Sequence, residues 1–271
     1  WRAKAVQSVN GGTAVALYRK LATEADSAYT YMDTQTLTGF RAETMTLNSQ
    51  FGGLPKYDAE GAQYQYRVRE VGATINAVDG AVPTDNIVAD AFTDGGFTFT
   101  VTQPASSGSL IENTLVGTTS LRVVKRWSPT LVDGTASGIH VRILQNGSAG
   151  WDTSDVVVPA GAASLGGTDY SLTGTGDLDR LFTGLPQYDG EGREYVYTVQ
   201  ELLIVEPADY AVSDVVYSVG GDDIRTATIY NVKGGEGGLT FRINKVWLDD
   251  GDLLRRVPVT FALYYTGGGS P

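Results

Sequence analysis

The sequence predicts an all-β protein made of tandem β-sandwich units, and three observations carry that prediction. Apolar residues recur at every second position over much of the chain, clusters of Gly, Asp, Pro and Ser punctuate these runs, and long segments of sequence occur twice. Alternation with period 2 sends successive side chains to opposite faces of a strand, so that one face is buried and the other wetted. Almost no stretch carries the 3.6-residue period of a helix. The 271 residues suffice for about two domains of ~100–150 residues, each with its own core. With 42% hydrophobic residues and 15 Tyr, the composition is that of a globular protein despite its 34 Gly.

The repeats set the organisation. Phe51-Gly-Gly-Leu-Pro-Lys-Tyr-Asp-Ala-Glu-Gly61 returns as Phe182-Thr-Gly-Leu-Pro-Gln-Tyr-Asp-Gly-Glu-Gly192, and a Tyr-x-Tyr-x-Val-x-Glu strand follows each. Leu121-Arg-Val-Val-Lys-Arg-Trp127 returns as Leu239-Thr-Phe-Arg-Ile-Asn-Lys-Val-Trp247, and Trp1 stands where such a strand ends. These markers divide the chain into residues 1–116, a unit lacking its first strand; 117–235, a complete unit; and 236–271, the first two strands of a further one. The Gly-rich residues 233–238 read as a short linker. A chain that starts and stops inside repeats is expected to be a piece of a longer protein.

In chain order, the Leu-Pro-x-Tyr-Asp-x-Glu-Gly segments read as turns, because Pro leaves the strand ladder and Asp-x-Glu-Gly tolerates positive φ. In the strand Tyr64-Gln-Tyr-Arg-Val-Arg-Glu70, alternation puts Tyr64, Tyr66, Val68 and therefore Glu70 on the apolar face. Residues 72–104, with Asp79, Asp85, Asp90 and Asp94, read as long loops of the first unit. Ile111-Glu-Asn113 closes that unit with Asn113 inward. In the next opening strand Leu121, Val123, Lys125 and Trp127 share one face while Arg122 and Arg126 take the other. Asn146-Gly-Ser148 is a hairpin turn. Tyr195, Tyr197, Val199 and Glu201 repeat the inward carboxylate, and Ala227, Ile229 and Asn231 the inward amide. Leu239, Phe241, Ile243, Lys245 and Trp247 repeat the inward lysine.

Each full repeat thus directs one Lys, one Glu and one Asn into its core. An isolated ion there costs several kcal/mol, so the trio must be mutually compensated, neutral or covalently joined. Burial raises a Glu pKa and lowers a Lys pKa, which favours proton transfer from ammonium to carboxylate and leaves a nucleophilic amine. Attack on the Asn carboxamide, with the protonated Glu hydrogen-bonded to its carbonyl, would expel ammonia and leave a Lys–Asn isopeptide bond. The plainer alternative is a buried Lys–Glu ion pair hydrogen-bonded to Asn, or a Lys125 that snorkels to the sandwich edge.

At these residues the chain resembles the CnaB-type (collagen-adhesin B) domains of bacterial surface adhesins and pilins, over nearly its whole length. The resemblance rests on Lys125-Arg-Trp127 and Lys245-Val-Trp247, the Leu-Pro-x-Tyr-Asp turn, the Tyr-x-Val-x-Glu strand, and Ile111-Glu-Asn113 and Ile229-Tyr-Asn231. It implies Ig-like, prealbumin-like sandwiches and autocatalytic isopeptide bonds, with Lys125, Glu201 and Asn231 as one complete set. Glu70 and Asn113 would be the catalytic and acceptor residues of the first unit, whose lysine would stand just ahead of Trp1; Lys4 is out of register. Lys245 would open the third set.

The net charge of −11 opposes binding to nucleic acid or anionic lipid. No apolar stretch approaches the length of a bilayer span, and no signal-peptide pattern opens the chain. The absence of Cys and the single His140, in an apolar strand, leave no zinc or Ser-His-Asp set. Asp222-Asp223 and Asp249-Asp-Gly-Asp252 read as solvated turns, and no metal or cofactor is expected. The resemblance implies an extracellular, wall-anchored stalk and no enzyme beyond one self-crosslinking turnover. Its partners would be neighbouring repeats, with a host matrix protein or glycan, or other copies in a filament, as alternatives.

Overall fold

The structure, a computed structural model, describes residues 1–6, 11–40, 46–75, 77, 90–103 and 110–234. Strands form where the alternation runs. β1 (Gly11–Leu21), β2 (Thr30–Phe40) and β3 (Tyr64–Thr74) make an antiparallel sheet in the order β2-β1-β3. β4 (Ala91–Asp94), β5 (Phe97–Thr102) and β6 (Glu112–Val116) make a second, in the order β4-β5-β6. The segment read as long loops over residues 72–104 therefore contains the end of β3 and a β-hairpin. Asp94 is tied down rather than free for a ligand, since its carboxylate accepts hydrogen bonds from the Thr74 hydroxyl at 2.8 Å and the Ile75 amide at 2.7 Å. Asp79 and Asp85 lie outside the described residues.

The second half is a two-sheet sandwich. β7 (Thr118–Ser128), β8 (Ala136–Gln145), β9 (Ala162–Gly166), β10 (Asp169–Thr175), β11 (Leu178–Pro186), β12 (Tyr197–Glu206), β13 (Tyr210–Val219) and β14 (Arg225–Lys233) follow in sequence. They pair as β12-β8-β10-β9 and β11-β7-β14-β13. Between the sheets lie Leu121, Val123, Ile139, Val141, Ile143, Tyr170, Leu172, Phe182, Ala227 and Ile229, the inward members of their strands. Burying one such aliphatic side chain stabilises the fold by about 1.5–3 kcal/mol. Asn146 and Gly147 both adopt positive φ, 49° and 80°, which gives the tight turn expected at that Asn-Gly pair.

β7 and β14, the first and last strands of this sandwich, are parallel neighbours, with Lys125 opposite Ile229 and Trp127 opposite Asn231. The first unit keeps the same register at one point. Arg2 bridges Thr114 in parallel, through Arg2 N to Asn113 O at 2.7 Å and Leu115 N to Arg2 O at 2.9 Å. Trp1 is therefore the counterpart of Trp127 and Asn113 of Asn231. The doubled Phe-x-Gly-Leu-Pro segment behaves differently in its two copies: in the second, Phe182, Leu185 and Pro186 pair with Leu121, Thr119 and Thr118 of β7. Leu185 and Pro186 are thus strand, not turn. Residues 51–55 carry no strand. Residues 236–271, with Lys245 and the 249–252 acidic loop, lie outside the described residues.

Candidate functional site

β12 packs across the sandwich against β14, which is paired with β7, and the alternation of these three strands brings Lys125, Glu201 and Asn231 together. Lys125 and Asn231 are fully buried, whereas Glu201 is half-buried. The Lys125 ammonium has few partners for so buried a charge. Its Nζ donates to the Arg126 carbonyl at 3.1 Å and the Ile229 carbonyl at 3.4 Å, and sits 4.2 Å from the Trp127 ring centroid. Burial pushes its pKa down to about 8, against the attraction of Glu201 and Asp177. At pH 7 about one amine in ten would then be neutral and able to attack.

Glu201 moves the other way. Desolvation raises its carboxyl above the ordinary value, opposed by its hydrogen bond from Asn231 and the charge of Lys125. Asn231 Nδ2 donates to Glu201 Oε1 at 2.8 Å. Among the described residues, Asn231 Oδ1 and Glu201 Oε2 find no hydrogen-bond partner. A carboxyl driven towards its protonated form beside an amide with an unengaged carbonyl is a proton donor next to an electrophile.

The first unit repeats two of the three groups. Glu70 and Asn113 are buried, and Asn113 Nδ2 donates to Glu70 Oε1 at 2.9 Å. Burial raises the Glu70 carboxyl despite hydrogen bonds from Thr13 and Asn113, and Glu70 Oε2 and Asn113 Oδ1 are again unpartnered among the described residues. Here Thr13 supplies a hydroxyl to Glu70, a contact that the sequence reading missed. No lysine joins them among the described residues; beside them a cavity of about 580 Å³ opens, lined by Trp1, Val15, Leu17, Phe51, Glu70 and Asn113 among others.

Both carboxylates sit at a β-bulge. Val15 pairs with Glu70 but Ala14 with Gly72, and Val141 pairs with Glu201 but His140 with Leu203. The extra residue, Val71 or Leu202, follows the carboxylate in each case, so the strand is bent just where the Glu is aimed inward. Among the described residues no group of three His, Asp or Glu is arranged to hold a metal, and no helix is long and apolar enough to cross a membrane.

Comparison with known proteins gives the family. Residues 13–87 and 121–231, more than half the chain, match the model of the Cna protein B-type domain. No curated protein matches the chain. Similar solved structures include a single B repeat unit of the collagen-binding surface protein of Staphylococcus aureus, 18% identical, covering 82% of this chain and 87% of that one with a TM-score of 0.24. The major pilin T-13 of Streptococcus pyogenes is 15% identical, covering 82% and 90% with a TM-score of 0.25. The pilus adhesin SpaC of Lactobacillus rhamnosus GG is 13% identical, covering 83% of this chain and 25% of its own, with a TM-score of 0.28.

Proposed function

Because the chain belongs to the Cna protein B-type domain family, we propose that it is a load-bearing stalk segment of a bacterial surface adhesin or pilin-like protein, displayed outside the cell. Its second unit crosslinks itself through Lys125 and Asn231, with Glu201 carrying the protons. The single observation that supports this most is a fully buried lysine, its pKa driven down, on the strand beside a buried Asn whose amide is hydrogen-bonded to a carboxyl driven up.

The step balances without an outside reagent. The neutral Lys125 Nζ attacks Asn231 Cγ; Glu201, whose Oε1 already holds Nδ2, relays the lysine's proton to that nitrogen; the C–Nδ2 bond breaks, and ammonia departs. One amide replaces another, and no group is regenerated for a second turnover. The chain is therefore no enzyme in the ordinary sense.

The mechanical value follows from topology. β7 and β14 are the first and last strands of the sandwich and lie side by side in parallel. A pull on the two ends of the unit shears that pair, and a covalent bridge between them takes the load. Boundaries at 1–116, 117–235 and 236–271 go with this reading, as do Glu70 and Asn113 for the first unit and Lys245 for the last.

Intact mass of the chain beside its Lys125→Ala, Glu201→Ala and Asn231→Ala variants tests it. A wild-type mass short of its formula by one ammonia, with each variant at full formula mass, is expected. A wild type at full mass would reduce the trio to a buried polar cluster and end the crosslink reading.

A further inference from the structure

The chain holds two copies of one turn in different surroundings. In each, an Asp at the start organises the backbone: Asp58 Oδ1 accepts from Glu60 N at 3.0 Å and Ala62 N at 2.7 Å, and Asp189 Oδ1 accepts from Glu191 N at 2.8 Å and Arg193 N at 2.9 Å. Each turn ends on a glycine with positive φ, +86° at Gly61 and +73° at Gly192. The local structures match, so any difference between them reflects what lies outside the turn.

Outside Gly61 there is nothing within 4 Å of where a Cβ would stand. Outside Gly192 the same imagined atom would meet Arg2 O at 2.4 Å and Ala3 Cα at 2.5 Å. Two backbone hydrogen bonds run across this approach, from Lys4 N to Glu191 O at 3.2 Å and from Ala5 N to Gly192 O at 2.6 Å. The Arg2 guanidinium bridges Glu191 of the turn to Glu112 of β6, and Lys4 Nζ lies 3.6 Å from Glu191. Tyr188 packs against the first unit's cluster of Ala3, Val6, Phe99 and Leu115, whereas its counterpart Tyr57 is 50% exposed.

We propose that residues 187–192 are a docking joint, a surface on the second unit whose partner is the segment just after the opening-strand Trp of the unit before it. The Tyr fills an apolar notch, the glycine lets two backbones approach to hydrogen-bonding distance, and the Glu receives a cation. Backbone hydrogen bonds across the approach make it directional, so consecutive units meet at a set angle and transmit bending as well as tension. The joint uses none of the lysine, carboxylate and amide groups of the crosslink, and stands or falls apart from it.

The two glycines supply matched variants. Gly192→Ala and Gly61→Ala carry the same positive-φ strain, but only the first collides with another unit. Site-resolved amide hydrogen exchange on the full chain reads the joint at Lys4 and Ala5. Gly192→Ala is expected to speed exchange at both amides by tenfold or more while β7 and β14 stay protected, and Gly61→Ala to leave them unchanged. Should Gly192→Ala unsettle the second unit itself, Glu191→Ala removes the ion pairs without backbone strain and should speed the same two amides. Unchanged exchange at Lys4 and Ala5 in both Gly192→Ala and Glu191→Ala, or equal acceleration by Gly61→Ala, overturns the proposal.

Discussion

The two units carry the same buried Glu–Asn pair, and among the described residues only the second has a lysine set beside it. In the second, Glu201 shares its surroundings with Lys125, whose charge draws the carboxyl's pKa back down while the carboxyl draws the lysine's up. In the first, Glu70 has the Thr13 hydroxyl and the Asn113 amide, and no lysine stands beside it among the described residues. Burial raises both carboxyls; hydrogen bonds chiefly oppose it at Glu70, and a hydrogen bond plus the Lys125 charge oppose it at Glu201. The Glu–Asn pair recurs in both units, and the lysine on β7 adds the third group that the proposed crosslink needs.

The sharpest way to break this comparison is to remove the lysine. A crosslink between Lys125 and Asn231 closes a loop of roughly a hundred residues, and by the loop-entropy estimate such a closure stabilises by about 4–5 kcal/mol. Lys125→Met keeps the volume and loses the bond, so the second unit should melt about 15–20 °C lower, at ~4 °C per kcal/mol for a domain of this size. Calorimetry of the full chain would resolve this, with the first unit's transition as the internal reference. A fall of only a degree or two would mean that no covalent bond was lost.

The converse experiment gives the first unit a lysine. Placing a copy of residues 118–126 directly ahead of Trp1 sets a lysine two residues before that Trp, as Lys125 stands before Trp127. Since Trp1 already lies beside Asn113 in the register that Trp127 has beside Asn231, the added strand should enter the cavity next to Glu70. The mass should then fall short by a second ammonia and the first unit's melting temperature should rise by several degrees. A chain that keeps that second ammonia would show that the Glu70–Asn113 platform differs from its counterpart in more than the lysine.

Much of this site was legible from alternation alone. Leu121, Val123, Lys125 and Trp127 are all buried, as are Ala227, Ile229 and Asn231, and Glu70. What alternation could not give is the bulge after each Glu, because a bulge is a relation between strands: Val71 is buried directly after Glu70, against a strict period of 2. Thr13 was invisible for a related reason. It meets Glu70 only through the register of β1 on β3, 57 residues apart in the chain. Gly192 lies in the turn as expected, while Tyr188 is bridged to Glu194 at its foot, and the second role of both depends on a neighbour that no local pattern names.

A smaller effect separates the two carboxyls by pH. Burial holds Glu70 above its unfolded value near 4.5, so the folded unit binds a proton that the unfolded chain has already released. The stability from this group is complete below pH 4.5 and is lost as the pH rises through the folded value. Glu70→Gln is neutral at every pH and keeps an acceptor for Asn113. Denaturant midpoints of the first unit should therefore favour the wild type over Glu70→Gln most at the acid end, with the advantage shrinking towards neutrality. A wild-type advantage that instead grew with pH would mean that Glu70 is folded as a stabilised carboxylate.

The smallest expected change concerns Thr13, which stands two residues before Val15 as Ile139 stands before Val141, each Val paired with its unit's Glu. The hydroxyl has one proton and two acceptors in reach, the Glu70 carboxyl and the Gly72 carbonyl at 3.1 Å. With Glu70 ionised, that proton belongs on the carboxylate. With Glu70 protonated, the carboxyl donates to Thr13, which is then free to donate to Gly72, and every proton has a place. Thr13→Val should cost about 1 kcal/mol, the usual worth of one such hydrogen bond. It should also raise the pKa of Glu70 further, since the hydroxyl's main effect is to favour the charged form. An NMR titration of the Glu70 carboxyl carbon reads this directly. A midpoint that moves up assigns the proton to the carboxylate; one that stays put while stability falls assigns it to Gly72, and leaves Asn113 alone holding the charge.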